Sequence, residues 1–113
     1  MAKFEDQMVN LGPEAFYQPE FRQVLEDHLY GIRTDETTRV EFLVTGQAYQ
    51  YEHDFYGLLL QYNVPYHLHW ITMRLNELKN PYQSLDTLKV ILIPNEQKLF
   101  QILSQFQTVT TSL

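Results

Sequence analysis

A chain of 113 residues with no cysteine, a net charge of −6 and 19% charged side chains is long enough for one packed domain, and it excludes disulfides, thiolate catalysis and Cys-ligated zinc. The charge is uneven: residues 1–38 carry three basic and eight acidic side chains, the remainder five and six. No basic stripe exists to neutralise phosphates, so nucleic-acid binding through counterion release has no footing. Eight Tyr and seven Phe beside so few charges predict a polar, uncharged surface of the kind that meets other proteins.

The opening MAKFEDQMVNLGPEAF has neither a basic n-region nor an apolar h-region, and no apolar run approaches the ~20 residues that span a bilayer. A soluble chain made in the cytoplasm, with no membrane segment, is the expectation. Gly12, Pro13 and Pro19 punctuate an irregular N-terminal arm. From Pro19 a helix is predicted to run to Tyr30, because Phe21, Val24, Leu25, His28 and Leu29 fall on one face and Gly31 suits the stop. The polar RTDETT loop follows, and then RVEFLVTG reads as a strand in which Val40, Phe42 and Val44 alternate with Glu41 and Leu43.

In AYQYEHDFYGLLLQYNV, Phe55, Leu58, Leu59 and Tyr62 give a helical face despite Gly57, which costs roughly 1 kcal/mol relative to Ala inside a helix. Pro65 opens a second helix with Leu68, Ile71, Leu75 and Leu78 on one side, and Asn80 and Pro81 are predicted to end it. LKVILIP is continuous enough in apolar residues for a strand buried on both faces or paired centrally. After Asn95, a capping residue, EQKLFQILSQF places Leu99, Ile102, Leu103 and Phe106 on one helical face. The tail TVTTSL is β-prone, and is expected to be disordered or recruited as an edge strand.

Side chains that could carry chemistry are few. His67 and His69 form an HxH pair, but in a helical pattern residues i and i+2 stand about 200° apart and cannot share a metal. His53 and Asp54 imitate an acid–base couple, yet no Ser nucleophile has a surrounding motif. The N-terminal carboxylates lack a calcium loop, and the four glycines form no phosphate cradle. Trp70 could stack on a sugar, but its place beside Leu68 and Ile71 favours the core. Asn76 is read as a cap at the helix end. No catalytic residue, metal or cofactor is predicted, so the chain is read as a non-enzyme.

The order strand, helix, helix, strand, with Asn76 closing the second helix and P-x-x-x-L-x-x-x-x-x-I-x-I-P running from Pro81 through Leu85 and Ile91 to Ile93 and Pro94, resembles the LysM domain. More specifically, VTGQAYQYEHDFYGLLLQYNVPYHLHWITMRLN looks like the LysM-like segment of baseplate wedge proteins from contractile-tailed bacteriophages. The resemblance covers residues 39–94, and Asn63 and Leu88 stand where the family carries glycine.

It implies an α+β fold: a two-stranded antiparallel sheet with two helices, flanked by N- and C-terminal amphipathic helices in residues 1–38 and 95–113. Val44, Tyr62, Trp70, Asn76, Leu85, Ile91, Ile93 and Pro94 would form the structural core of the motif. It further implies a building block of a virion tail baseplate, synthesised in the host cytoplasm, with other tail and baseplate proteins as partners. Phe21, Val24, Leu25 and Leu29, and Leu99, Ile102, Leu103 and Phe106, are the candidate faces for those contacts, or else complete the core. On the first use of those faces, deleting residues 1–31 or 95–113 should abolish assembly and leave 39–94 folded. Recognition of peptidoglycan through N-acetylglucosamine is the alternative, and Leu88 in place of glycine argues against it.

Overall fold

The computed structural model describes residues 12–112, with side chains described for residues 13–105. After a 3-10 turn at Gly12–Tyr17, the stripe that begins at Pro19 forms α1 (Pro19–Asp27), which buries Phe21 and Leu25. The helix does not run on to Tyr30. At His28 the backbone N–H turns to the Leu25 carbonyl, and the ring Nδ1 lies 2.7 Å from the Val24 oxygen. That tighter closure interrupts the helix, which resumes as α2 (Leu29–Arg33) so that Gly31 sits within it and Ile32 is buried.

Two antiparallel strands, β1 (Arg39–Phe42) and β2 (Val90–Ile93), pair Arg39 with Ile93, Val40 with Leu92, Glu41 with Ile91 and Phe42 with Val90. Between them lie α3 (Gln47–Gln50), α4 (Phe55–Gln61), a 3-10 turn at Tyr66–Leu68 and α5 (His69–Leu75). The helix α6 (Glu96–Ser112) follows β2. The protein is thus α+β, a strand–helix–helix–strand unit with flanking helices, and six α-helices occur among the described residues. TVTTSL is helical through Ser112 rather than an edge strand. Nor is β2 covered on both faces: Ile91 and Ile93 are buried while Val90 and Leu92 are half-buried.

The helical face expected at Phe55, Leu58, Leu59 and Tyr62 is that of α4, which is set off from α3 by His53 at φ 63°. Asp54 then caps α4, its carboxylate accepting the Gly57 N–H at 3.1 Å. A Cβ at Gly57 would stand 2.2 Å from Asp54 Oδ2, so the glycine makes room for the cap. Gly57→Ala should therefore fail to deliver the ~1 kcal/mol that helix propensity offers. In an Asp54→Ala background the same change should stabilise by about that amount. Equal effects of Gly57→Ala in both backgrounds, measured by urea denaturation, would mean that the cap and the glycine are uncoupled.

Two helix ends share one construction. Past α4, Asn63 at φ 60° donates its N–H to Leu60 O and Val64 donates to Leu59 O, both at 3.1 Å. Past α5, Glu77 at φ 67° donates to Arg74 O at 3.0 Å and Leu78 to Met73 O at 3.1 Å. Both are Schellman closures, with Val64 and Leu78 buried beneath them. This ends α5 at Leu75, earlier than Asn80 and Pro81 suggested. Asn visits the left-handed region at low cost, whereas Glu does not. Glu77→Gly should raise stability by about 1 kcal/mol in thermal or urea unfolding. A loss instead would place the weight on the exposed Arg33–Glu77 ion pair at 3.7 Å.

One hydrophobic cluster runs through all these elements: Phe16, Phe21, Leu25 and Ile32 from the N-terminal third, Phe55, Leu59, Ile71 and Ile91 from the centre, and Leu99, Ile102 and Leu103 from α6. α1 lies against α6, and α5 packs on α2, α4 and β2.

Candidate functional site

The motif residues separate into three groups. Leu85, Ile91, Ile93 and Pro94 are buried, as the resemblance implied. Tyr62 and Trp70 are half-buried and touch the edge of the cluster. The Tyr62 hydroxyl donates to Gln47 Oε1 at 2.6 Å, and the Arg22 guanidinium lies 4.8 Å from the Trp70 ring centre and 5.8 Å from that of Tyr17. Trp70 is therefore a cation–π platform that ties the N-terminal segment to α5, rather than a core residue. Val44 contradicts the expectation outright: it lies past the end of β1 and is 67% exposed. Its backbone N–H turns to Gln47 Oε1 at 3.3 Å, which leaves the ladder.

Asn76 has a larger part than a helix cap. Its Nδ2 donates to Thr72 O at 2.7 Å and to Leu92 O at 2.9 Å, and its Oδ1 accepts the Leu92 N–H at 2.8 Å. One amide thus takes up both main-chain groups of Leu92 that face away from β1, as a neighbouring strand would.

The polar side chains are committed to holding the chain together. His53 Nδ1 donates to Tyr82 O at 2.7 Å while Asp54 caps α4, so the apparent acid–base couple serves two separate structural bonds. Glu52 accepts the Leu85 N–H and the Ser84 hydroxyl; the Leu85 N–H chiefly holds its carboxyl below the usual carboxylate range. Arg74 pairs with Glu26 at 2.5 Å, joining α5 to α1. His67 Nε2 reaches Glu96 Oε2 at 2.5 Å with its ring 5.3 Å from Phe16, whereas His69 Nε2 donates to Val64 O at 2.8 Å between the rings of Tyr56 and Tyr66. The two imidazoles have different partners. Among the described residues, no group of three or more His, Asp or Glu side chains is placed to hold a metal, and no helix is long and apolar enough to cross a membrane.

Burial pushes His69 below the usual histidine range, with the nearby His67 acting in the same direction and the Val64 carbonyl opposing. Below about pH 6.5 the unfolded chain takes up a proton that the folded ring resists, so stability is lost as pH falls and is unaffected above that point. His69→Gln should flatten the change in urea midpoint between about pH 7 and pH 5. An unchanged slope would assign the pH response to other groups.

Comparison with protein-family models, with curated proteins and with solved structures finds no match to this chain. Function must then be read from its surface. The interaction faces expected on the terminal helices are not on that surface: Phe21, Leu25, Leu99, Ile102 and Leu103 are buried inside this chain, and Val24 and Leu29 pack against the same cluster. The Phe106 side chain lies outside the described residues.

What the surface offers instead is β1. Residues paired across a ladder share a face, so Arg39, Glu41 and Leu43 lie on the side of buried Ile93 and Ile91. Val40 and Phe42 point the other way and are 51% and 75% exposed, beside half-buried Leu92 and Val90. The strand is inverted, with an ion pair (Arg39 to Glu41, 3.0 Å) on its inner side and apolar side chains outward. Arg39 also donates to Tyr62 O at 3.1 Å, and its side chain is half-exposed although it lies on the inner side of β1. A cleft of about 380 Å³ adjoins the strand, lined by Phe42, Val44, Thr45, Gly46, Leu88 and Lys89.

The alternation of Val40, Phe42 and Val44 was visible in the sequence, but period two does not say which face is inside. Tyr30, Tyr49, Tyr66 and Tyr82 are also exposed, the polar uncharged surface that the composition suggested.

Proposed function

We propose that this chain is a non-enzymatic structural subunit of a contractile phage tail baseplate, a wedge component whose LysM-like unit serves as scaffold. The observation that carries this reading is the inverted β1. It presents a contiguous apolar sheet face in a molecule whose described buried side-chain polar atoms all have internal partners. Such a division of labour suits a building block: chemistry is spent inward on shape, and the outward face is left for neighbours. The strand–helix–helix–strand order closed by Asn76 supports the LysM-like assignment, and the partners are other tail and baseplate proteins in the virion.

The test is recovery of the chain in purified tail particles by quantitative mass spectrometry, with loss of tail assembly when its gene is removed. Complete, infectious tails lacking the chain would overturn the reading. The second reading, a module for N-acetylglucosamine polymers, is favoured by the cleft between Thr45, Gly46 and Leu88. Leu88, where the family has glycine, packs against the core and helps line that cleft. Titration with chitin oligomers should therefore give no saturable heat, and micromolar binding would favour the second reading instead.

A further inference from the structure

We infer that the free edge of β1 pairs with β1 of a second copy of this chain, in antiparallel register centred on Val40. The hydrogen-bond alternation defines that edge. The Leu43 N–H donates to Lys89 O at 3.0 Å, which makes residues 39, 41 and 43 the ones bonded to β2. Consistently, Leu92, opposite Val40, sends its main-chain groups to Asn76 on the far side. Val40 and Phe42 therefore direct their N–H and C=O groups away from the sheet. The edge is short and bounded, because the Thr38 N–H is taken by Asp35 O and the Val44 N–H by Gln47.

Registers that join these outward groups differ in what they place opposite Glu41. Shifting the centre by one residue, onto Glu41, sets Glu41 against Glu41 of the other copy, which like-charge repulsion disfavours. Centring on Phe42 sets Glu41 against Leu43. Centring on Val40 sets Arg39 against Glu41 twice, Val40 against Val40, and Phe42 against the Thr38 methyl. The strand Thr38–Arg39–Val40–Glu41–Phe42 is thus self-complementary in charge about its middle residue, as a two-fold interface requires. Nothing at this edge opposes pairing: it has no proline, no bulge and no inward lysine on β1. The four-stranded sheet that results joins the outward Val40 and Phe42 side chains of both copies into one surface. The proposal does not depend on the phage reading.

Two paired strands of five residues bury less than the ~1,200 Å² of standard stable interfaces, so the dimer is weak. Sedimentation equilibrium of the full chain from about 1 µM to about 1 mM should show the mass rising from one chain toward two. Val40→Pro removes an outward N–H that the intrachain ladder does not use, so it should keep the chain folded and monomeric throughout. Arg39→Glu and Glu41→Arg should each weaken association about tenfold, and the two together should restore it. These substitutions lie outside the buried core and keep the test alive if the proline variant misfolds. A mass of one chain at every concentration overturns the proposal and leaves the edge to a strand from another protein. A dimer indifferent to the charge swaps overturns it as well, since the contact then lies elsewhere.

Discussion

A chain cut back to residues 39–94 will show no cooperative unfolding transition, and the same holds for removal of residues 95–113 alone. The second deletion takes away Leu99, Phe100, Ile102 and Leu103, of which three are buried in the shared cluster and Phe100 packs 5.4 Å from Phe16. Burying a large apolar side chain is worth about 1.5–3 kcal/mol, so four of them amount to roughly 6–12 kcal/mol. Small domains hold only about 5–15 kcal/mol in total. The loss consumes the margin, and the uncovered faces of Phe21 and Leu25 add to it.

Single substitutions grade the same effect. Leu99→Ala should cost about 2–5 kcal/mol and Phe21→Ala about 3–5 kcal/mol, read as lower urea midpoints. Near-ultraviolet circular dichroism and urea titration of the 39–94 fragment decide the matter. A sigmoidal transition there would show that the flanking helices are additions to a self-sufficient unit. This reverses the consequence drawn from the sequence, in which the terminal helices were expected to fail at assembly and spare the centre.

Asn76→Ala is expected to lower stability by roughly 2–4 kcal/mol, an unusual amount for a half-buried polar residue. The reason is what it leaves behind: a Leu92 N–H and a Leu92 C=O with no strand beside them, each costing about 1–3 kcal/mol if unsatisfied. Asn76→Asp keeps an acceptor for the N–H but sets a carboxylate against the carbonyls of Leu92 and Thr72, so it should not rescue. Amide exchange supplies a local readout. Protection at Leu92 should collapse in the Ala variant, while Ile91 and Ile93, bonded to β1, keep theirs. A change below about 0.5 kcal/mol would mean that water replaces the amide at that edge.

The helical stripes were legible because burial leaves a period: Phe21 and Leu25 on α1, Leu58 and Leu59 on α4, Ile71 and Leu75 on α5 all face the core. The strand pair was legible as an order of elements. Periodicity, however, says that a face is covered without saying by what, so the stripes of α1 and α6 were left open between neighbours and the core, and in the structure they join the core. The end of α5 was missed for a different reason. Glu77 adopts positive φ without being glycine, in a closure made by main-chain bonds to Arg74 and Met73 that no residue type announces, while His53, also at positive φ, is bonded to the Tyr82 carbonyl 29 residues away. Asn76 was seen as structural, but its second partner lies 16 residues away across a loop. The outward face of β1 escaped because alternation has no sign.

The contact between α1 and α6 also bears on how the molecule comes into being. During synthesis, α1 emerges early and the part of its cover supplied by α6 late, so Phe16, Phe21 and Leu25 wait through most of translation for Leu99, Phe100 and Leu103. Native structure closes only once α6 has left the ribosome. Until then the apolar side chains of the N-terminal third lack that cover, and β1 waits for β2 to pair with it.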